Sequence, residues 1–428
     1  MTRTRIRGGR LIDPAQGRDD ELDLYLDAGR VAAVGRAPRG FRAEREIDAR
    51  GHLVLPGLIE LSAHLGSGNP ADALRRETFA AAAGGITTLC TPPDLDPCID
   101  TPAAAELIHL HAARHGRAHV VTLGALTRGL DGEHLTEMGA LRETGCPALS
   151  NGRRPVPNSL ILRRALEYAS SHNLTVLLHP QDPGLSEGGC VHEGEVATRL
   201  GLPGIPPAAE VIGITRDLAL IELTGARVHF CRLSAAAAVD QVRRARERGL
   251  PVTADVAAHN LLLTDRDIDG FDTSCHLVPP LRGEADRQAL RAGVADGTLG
   301  IVCADHRPLG GDAKRAPFGA TVPGASGLDT LLGLGLTLVG QGLLDLTGLV
   351  ERFSLGPARL LGLSGGRLGP GAPADLCVVD PDFRRVLQAR DMRSGGHNSP
   401  FVGRELPGRV GHTLVGGEPV WDADGDDA

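Results

Sequence analysis

Eight short apolar segments alternate with helical segments through the middle of this 428-residue chain. The apolar segments are rich in β-branched residues, which is typical of parallel strands buried on both faces. Eight strands alternating with helices close into a (β/α)8 barrel. We therefore predict an α/β TIM barrel over residues 56–369, with strands at Leu58–His64, Ile86–Thr91, His119–Leu123, Cys146–Ser150, Thr175–His179, Arg227–Leu233, Pro251–Val256 and Gly300–Asp305.

The two ends of the chain carry a different pattern, strand-like alternation interrupted by glycine turns. It is present in Leu22–Val34 and again in Asp375–Val379 and His412–Val420. Gly-rich segments between residues 364 and 371 indicate a domain boundary. The sequence therefore predicts a small β-sandwich domain formed by both termini, from residues 1–55 and 370–428, beside the barrel.

Composition excludes several classes of function. The net charge of −8 disfavours a nucleic-acid or anionic-membrane surface, and no apolar run is long enough to span a membrane. The eight cysteines are scattered without a Cys-x-x-Cys spacing, which disfavours a zinc finger or a disulfide framework. Together these properties predict a cytoplasmic protein that binds neither nucleic acid nor membrane.

Polar side chains fall at the carboxyl ends of the predicted strands, where barrels of this kind place their chemistry. A lone histidine is more often structural than a metal ligand. Two histidines and an aspartate at the ends of three strands converge on one axis, however, and they indicate the remains of a metal site. From strands one, four, five, six and eight, the strand-end residues are Ser62 and His64, Ser150 and Asn151, His179, Arg232, and Asp305.

Several motifs, in the correct order along nearly the whole chain, resemble dihydroorotase of the amidohydrolase superfamily. This resemblance implies a barrel of the amidohydrolase type and a metal-dependent hydrolysis of a cyclic amide. The motifs are Pro56-Gly57-Leu58-Ile59-Glu60, Glu193-Gly194-Glu195 followed by Arg199–Pro206, Leu261–Asp265, Pro279-Pro280-Leu281-Arg282, Asp305-His306, and Gly408-Arg409-Val410 with Val415-Gly416-Gly417.

The resemblance carries the family's metal ligands over only in part. His64, His179 and Asp305 match ligand positions, whereas Ser62 and Arg232 stand where the family has histidine. The bridging carboxylate of strand four falls near Asn151, and no carboxylated lysine is available there because Lys314 is the only lysine in the chain. We expect no cofactor, since a guanidinium stays protonated and only donates hydrogen bonds.

The substrate-binding positions implied by the resemblance are lost as well. The arginine that grips the substrate carboxylate in the family corresponds to Gly66, and three further substrate contacts correspond to Pro93, Val278 and Leu309. A change of substrate would explain these losses but not the loss of metal ligands. His259 and His306 remain candidate pocket residues, although each has an ordinary structural interpretation.

The leading interpretation is a non-catalytic dihydroorotase homologue of pyrimidine biosynthesis. The resemblance points to the inactive chains that associate with aspartate carbamoyltransferase and hold it in a high-order assembly. We expect the aspartate carbamoyltransferase catalytic chain as partner, with this chain forming a homo-oligomer inside the hetero-oligomeric complex. We also predict that Arg232 pairs with Asp305, because a buried carboxylate without a metal needs a cation.

The alternative is an active cyclic amidohydrolase, a dihydroorotase or hydantoinase relative with a single weakly held zinc. Asp305 would then be the general base, and His64, His179 and His259 would be candidate ligands. A third interpretation, a small-molecule sensor that uses the vacated pocket, has no supporting motif.

Overall fold

A computed structural model describes residues 2–66 and 68–426, and the predicted barrel is present in them. Strand three is interrupted at Leu123 and continues at Gly124–Ala125. Its first part pairs with strand two and its second part with strand four, so the interruption divides the hydrogen-bonded barrel into two sheets. The eight barrel strands are Leu58–Glu60, Ile86–Thr91, His119–Thr122 with Gly124–Ala125, Ala148–Ser150, Thr175–Leu178, Val228–Phe230, Val252–Ala257 and Ile301–Cys303.

Parallel pairing runs from each barrel strand to the next, in the order of the chain. The barrel closes between its first and last strands just beyond their ends. There His306 N donates to Ser62 O at 2.8 Å and His64 N donates to His306 O at 2.9 Å. The closure brings the carboxyl ends of strands one and eight side by side.

Helices surround the barrel, and three of the long ones begin at polar capping residues. Asn69, Thr101 and Asn158 each accept a backbone N–H of the following helix, and proline occupies the first turn of the first two helices. The helices of ten residues or more are Pro70–Ala83, Pro102–His115, Ser159–Ser171, Ala208–Thr224, Ala236–Glu247, Glu284–Asp296 and Leu331–Gly340. Shorter helices are Met138–Glu143, Pro183–Ser186, Glu195–Leu200, Leu346–Val350, Gly356–Leu361 and Ala423–Asp426.

Strands from both termini join in one additional sheet, which is eight-stranded in the described residues, where the sequence predicts a small β-sandwich. Leu53–Pro56 pairs with the N-terminal strand Thr4–Asp13 on one side and with Leu376–Val386 on the other. Its own apolar core includes Ile6, Leu24 and Leu376. The remaining strands are Arg18–Asp27, Arg30–Val34, Arg45–Asp48, Glu405–Val415 and Glu418–Asp422. In the described part of the chain, no helix has the length and hydropathy needed to cross a membrane.

Candidate functional site

Asp305 lies at the centre of the strand-end site and is held by two arginines. Arg153 Nη2 donates to both carboxylate oxygens of Asp305, each at 2.7 Å. Arg232 Nε lies 3.5 Å from Asp305 Oδ1, and Ser62 Oγ donates to the same oxygen at 3.3 Å. Arg232 Nη1 in turn donates to Ser62 Oγ at 3.3 Å. The carboxylate that would face a metal therefore faces guanidinium groups.

The predicted ion pair between Arg232 and Asp305 is confirmed, but it is the longer of two. The closer cation, Arg153, was missed in the sequence. It lies three residues beyond the end of strand four, in a loop, and spacing alone does not reveal where a loop side chain points. In the family, the end of strand four supplies the bridging carboxylate. In this chain, the loop after strand four supplies the positive charge of Arg153 instead.

The ionisation of Asp305 follows from this arrangement. Burial alone raises the pKa of a carboxyl group, but the charges of Arg153 and Arg232 outweigh burial and hold the pKa of Asp305 well below its usual range. Burial is the largest single effect and lowers the pKa of Arg232, but the surrounding acidic groups, Asp305 foremost, together raise it, so the net pKa of Arg232 lies above its usual value. The site therefore holds a fixed carboxylate and two fixed guanidinium groups.

The three histidines at the site are buried and neutral. Burial is the main cause that lowers the pKa of His64 to about 4, of His179 to about 3 and of His259 to about 4. His64 Nε2 lies 3.5 Å from an oxygen of Asp94, and His179 Nε2 lies 3.1 Å from Gln181 Oε1. His259 Nε2 is buried without a hydrogen-bond partner.

Two predicted site residues turn away from the strand-end site. Asn151 accepts from Thr127 Oγ1 at 2.8 Å and donates to Arg154 O at 3.0 Å, so its side chain ties two loops together. His306 is a correction to the prediction of a pocket residue. Its ring is fully buried and contacts Glu77 at 3.1 Å and the backbone N–H of Gly327 at 3.1 Å, which is a structural role behind the site.

The positions that correspond to the family's substrate contacts do not form a carboxylate clamp. Gly66 is exposed with a φ of 79°, a backbone conformation that an arginine rarely adopts. Pro93 is buried and lacks an N–H donor, while Val278 and Leu309 are half-buried and apolar. The backbone N–H of Leu309 already donates to Asn398 Oδ1 at 2.9 Å.

These residues do not fit the zinc centre that the family implies. A catalytic zinc needs about three protein ligands and an open position for water. Among residues 2–66 and 68–426, the only trio of potential ligands within 4.8 Å of one another is His229, Cys231 and Asp255, and not His64, His179 and Asp305. Arg153 and Arg232 already neutralise Asp305, and both would repel a divalent cation.

The His229 trio lies within the barrel and is already internally bonded. His229 contacts Thr253 Oγ1 at 2.7 Å through Nδ1 and Asp255 Oδ2 at 2.8 Å through Nε2. The other oxygen of Asp255 accepts the backbone N–H of Arg232 at 2.5 Å. Both ring nitrogens and both carboxylate oxygens are therefore occupied, and the trio serves to hold Arg232 in place.

The backbone at Arg232 and Asp305 is strained. Their φ angles are 57° and 49°, in the left-handed region that glycine favours and bulky residues avoid. Such conformations cost on the order of 1–3 kcal/mol and cluster at functional sites. The two strained residues lie at the ends of strands six and eight, which is where the strand-end site is formed.

Glu60 lies at the end of strand one and is fully buried beneath the site. Its carboxyl group accepts the backbone N–H of Ala304 at 2.6 Å and that of Ser62 at 2.8 Å. Burial raises the pKa of Glu60 to about 8, because these hydrogen bonds offset only part of the cost of removing the charge from water. Glu60 is therefore protonated at neutral pH.

We expect the free energy of unfolding to fall as the pH rises from about 6.5 to about 8. An unfolded glutamate titrates near pH 4.3, so in this window the folded chain holds a proton that the unfolded chain has released. Below about pH 6.5 the buried histidines His64, His179 and His259 oppose this trend, because the unfolded chain binds their protons. Urea unfolding at closely spaced pH values measures the slope.

The variant Glu60→Gln should lose this slope, whatever its stability at pH 6.5. Glu222→Gln is the matched control, because Glu222 is exposed and forms only a 3.6 Å ion pair with Arg248. A slope that persists in Glu60→Gln, or that disappears in the control, would rule out Glu60 as its source.

Sequence and structure comparisons place the chain among known proteins. The family described as "Amidohydrolase family" matches residues 152–420, and the family described as "Dihydro-orotase-like" matches residues 51–237. The chain is 49% identical to the "Dihydroorotase-like protein" of Pseudomonas aeruginosa, over 96% of this chain and 98% of the relative. It is 43% identical to the "Dihydroorotase" of Anaeromyxobacter sp. strain K, over 97% of each chain.

Solved structures agree on the fold. The L-hydantoinase (dihydropyrimidinase) of Arthrobacter aurescens superimposes with a TM-score of 0.87 at 23% identity, over 99% of this chain and 96% of the hydantoinase. A D-hydantoinase structure superimposes with a TM-score of 0.84 at 24% identity, covering 98% of this chain and 95% of the other. Together with the sequence matches, these likenesses show that the chain belongs to the dihydroorotase-like branch of the amidohydrolase family.

Proposed function

We propose that this chain is a non-catalytic dihydroorotase homologue and a structural subunit of a cytoplasmic assembly with aspartate carbamoyltransferase. One observation supports the proposed loss of catalysis. Arg153 and Arg232 bind Asp305 at the place where the metal and the general base act in the family. Hydrolysis in this family needs water activated by a metal, which lowers the pKa of that water to about 7. Two fixed cations leave no such water to activate.

The separate loss of the substrate clamp supports the same proposal. Gly66 offers no side chain, and the other three substrate positions are apolar, so a bidentate grip on a carboxylate is absent from these positions. A change of specificity would replace one set of polar contacts with another. Here the metal set and the clamp are both gone, while the barrel and its terminal sheet are complete in the described residues.

Apolar side chains on the outer helices support a role in assembly. Leu160, Ile212 and Leu223 are 50%, 47% and 61% exposed, on the helices Ser159–Ser171 and Ala208–Thr224, which pack against each other. Exposed apolar side chains on neighbouring helices are candidates for contact with a partner chain. We propose that the partner is the aspartate carbamoyltransferase catalytic chain of the same organism and that this chain also contacts copies of itself.

The first test is catalytic. Purified protein incubated with zinc and then dialysed should retain no stoichiometric metal by mass spectrometry, and it should not hydrolyse dihydroorotate. The relative from Anaeromyxobacter named dihydroorotase serves as the comparison enzyme in the same assay. Stoichiometric zinc together with turnover would instead support the alternative, an active cyclic amidohydrolase with a mononuclear site.

The second test is assembly. Co-expression with the aspartate carbamoyltransferase chain should yield a complex larger than either protein alone by light scattering, and transcarbamoylase activity should fall when this chain is omitted. Leu160→Asp combined with Ile212→Asp should reduce complex formation, with the exposed Leu185→Asp as the matched control. A transcarbamoylase that assembles and works equally well alone would refute the structural role.

A further inference from the structure

A large cavity opens at the amino-terminal end of the barrel, opposite the strand-end site. Its volume is about 980 Å³. Its lining includes the residues at which successive strands begin, among them Thr175, Val228, Val252 and Ile301, and one side is formed by the helix Gly356–Leu361. This volume lies in the range of pockets that bind small molecules, about 300–1,000 Å³.

The cavity reaches the inside of the barrel. Thr253 belongs to barrel strand seven, Val252–Ala257, yet it is exposed and lines the cavity. Its hydroxyl lies 2.7 Å from His229 Nδ1, and His229 connects through Asp255 to the backbone of Arg232. The interior of such barrels is ordinarily filled by side chains, so an accessible threonine bonded to an interior histidine indicates a site rather than a packing surface.

The charge of the cavity is opposite to that of the whole chain. The charged residues of its lining are the four arginines Arg227, Arg246, Arg352 and Arg359 and the single acidic residue Glu351. The chain as a whole carries a net charge of −8. Four cations against one anion in a concave surface attract an anionic ligand, because low-dielectric walls concentrate the field.

The arginines fall into two groups. Arg352 gives two nitrogens to Val294 O at 2.9 and 2.7 Å, and Arg359 pairs with Glu351 at 2.5 Å. Arg227 donates only through Nη2, to Asn173 O at 2.5 Å, and Arg246 only through Nη1, to two backbone carbonyls, within the described residues. A guanidinium has five N–H donors, so these two are anchored and still have donors to give.

Apolar side chains complete the lining. Leu250, Val252, Ile301, Leu360 and Leu361 contribute to its walls. Guanidinium groups bind phosphate and carboxylate in bidentate geometry, and aliphatic walls favour an apolar body. We propose that this cavity binds a small organic anion, a phosphate or a carboxylate attached to an apolar ring, with Arg227 and Arg246 at the anion and the aliphatic wall against the ring.

Calorimetric titration of the intact protein tests this proposal with three probes: phenyl phosphate, benzoate and inorganic phosphate. We expect phenyl phosphate to bind at least about tenfold more tightly than inorganic phosphate, because only the former buries a ring. Comparison of phenyl phosphate with benzoate distinguishes the two anionic groups. Equal affinity for phenyl phosphate and inorganic phosphate, or no binding of any probe, would overturn the proposal.

Variants locate the binding. Arg227→Gln combined with Arg246→Gln should weaken phenyl phosphate binding at least about tenfold, since charge-assisted bonds are replaced by neutral ones. Arg248→Gln is the matched control, because Arg248 is exposed, pairs with Glu222 at 3.6 Å and is not part of the lining. An unchanged affinity in the double variant, or an equal loss in the control, would place the binding elsewhere.

Histidine resonances provide an independent readout. In protein labelled with ¹⁵N histidine, phenyl phosphate should shift the signals of His229, which is fully buried beneath Thr253. Thr253→Val removes the hydroxyl that joins the ring to the cavity and should reduce that shift while the protein stays folded. A shift confined to His64 and His179 would mean that the anion binds at the strand-end site and would contradict the proposal.

Discussion

Replacing Asp305 with asparagine should lower the free energy of unfolding by about 3 kcal/mol, since an uncompensated buried charge costs roughly 3–5 kcal/mol. The substitution leaves Arg232, which is 6% exposed, and Arg153 without their carboxylate. Asparagine keeps the shape of the side chain and tolerates the φ of 49° at this position. Urea unfolding followed by circular dichroism measures the loss.

A rescue experiment distinguishes charge from shape. Adding Arg153→Met and Arg232→Met to Asp305→Asn should recover most of the lost stability, because removing all three charges together leaves no uncompensated charge buried at the site. Asp312→Asn is the control, since Asp312 is 95% exposed and pairs with Arg315. A single variant as stable as the wild type, or a triple variant no better than the single one, would contradict the ion-pair assignment.

The same carboxylate predicts sensitivity to acid. Because the pKa of Asp305 is lowered in the folded chain, its contribution is fully present above the unfolded value of about 3.9 and is lost as the pH falls towards the lower folded value. His64 and His179 act in the same direction between their folded pKa values of about 4 and 3 and an unfolded value near 6.5. Substituting Asp305 removes the first effect, and substituting His64 and His179 removes the second. Acid titration of these two sets of variants therefore separates the two contributions.

The sequence predicted the barrel because buried parallel strands produce short apolar runs, and each run overlaps a strand of the structure. It also predicted the Arg232–Asp305 pair, since charge compensation follows from the two residue types alone. The direction of loop side chains has no such signature. Arg153 and Asp94, which lie just beyond strands four and two, therefore escaped notice, although both contact predicted site residues.

Polar residues inside strands were hidden for a different reason. His229 and Asp255 interrupt apolar runs, and a single interruption does not reveal that the two side chains meet across neighbouring strands. The parallel register places Phe230 beside Ala254, which brings His229 within 2.8 Å of Asp255. This pairing gives the buried Asp255 a hydrogen-bond partner within the barrel, and it links the cavity at the amino-terminal end to the backbone of Arg232.

Restoring the missing ligands should convert the site into a zinc centre. In the triple variant Ser62→His, Arg232→His and Arg153→Ala, two imidazoles join His64 and His179, and Asp305 is freed from both cations. We expect about one zinc per chain after dialysis, measured by mass spectrometry, since three or four nitrogen and oxygen ligands suffice for tight binding. Histidine is also better tolerated than most residues at the positive φ of position 232.

The buried histidines favour this outcome, because zinc binds the neutral imidazole and must otherwise compete with a proton. Burial lowers the pKa of His64 to about 4 and that of His179 to about 3, so neither has a proton to displace at pH 7. The matched control, Ser62→Gln with Arg232→Gln and Arg153→Ala, removes the same cations without adding imidazole and should stay free of zinc. Zinc in the control would show that Arg153 and Arg232 alone exclude the metal, whereas an empty triple variant would show that the strand ends have moved too far apart to bind it.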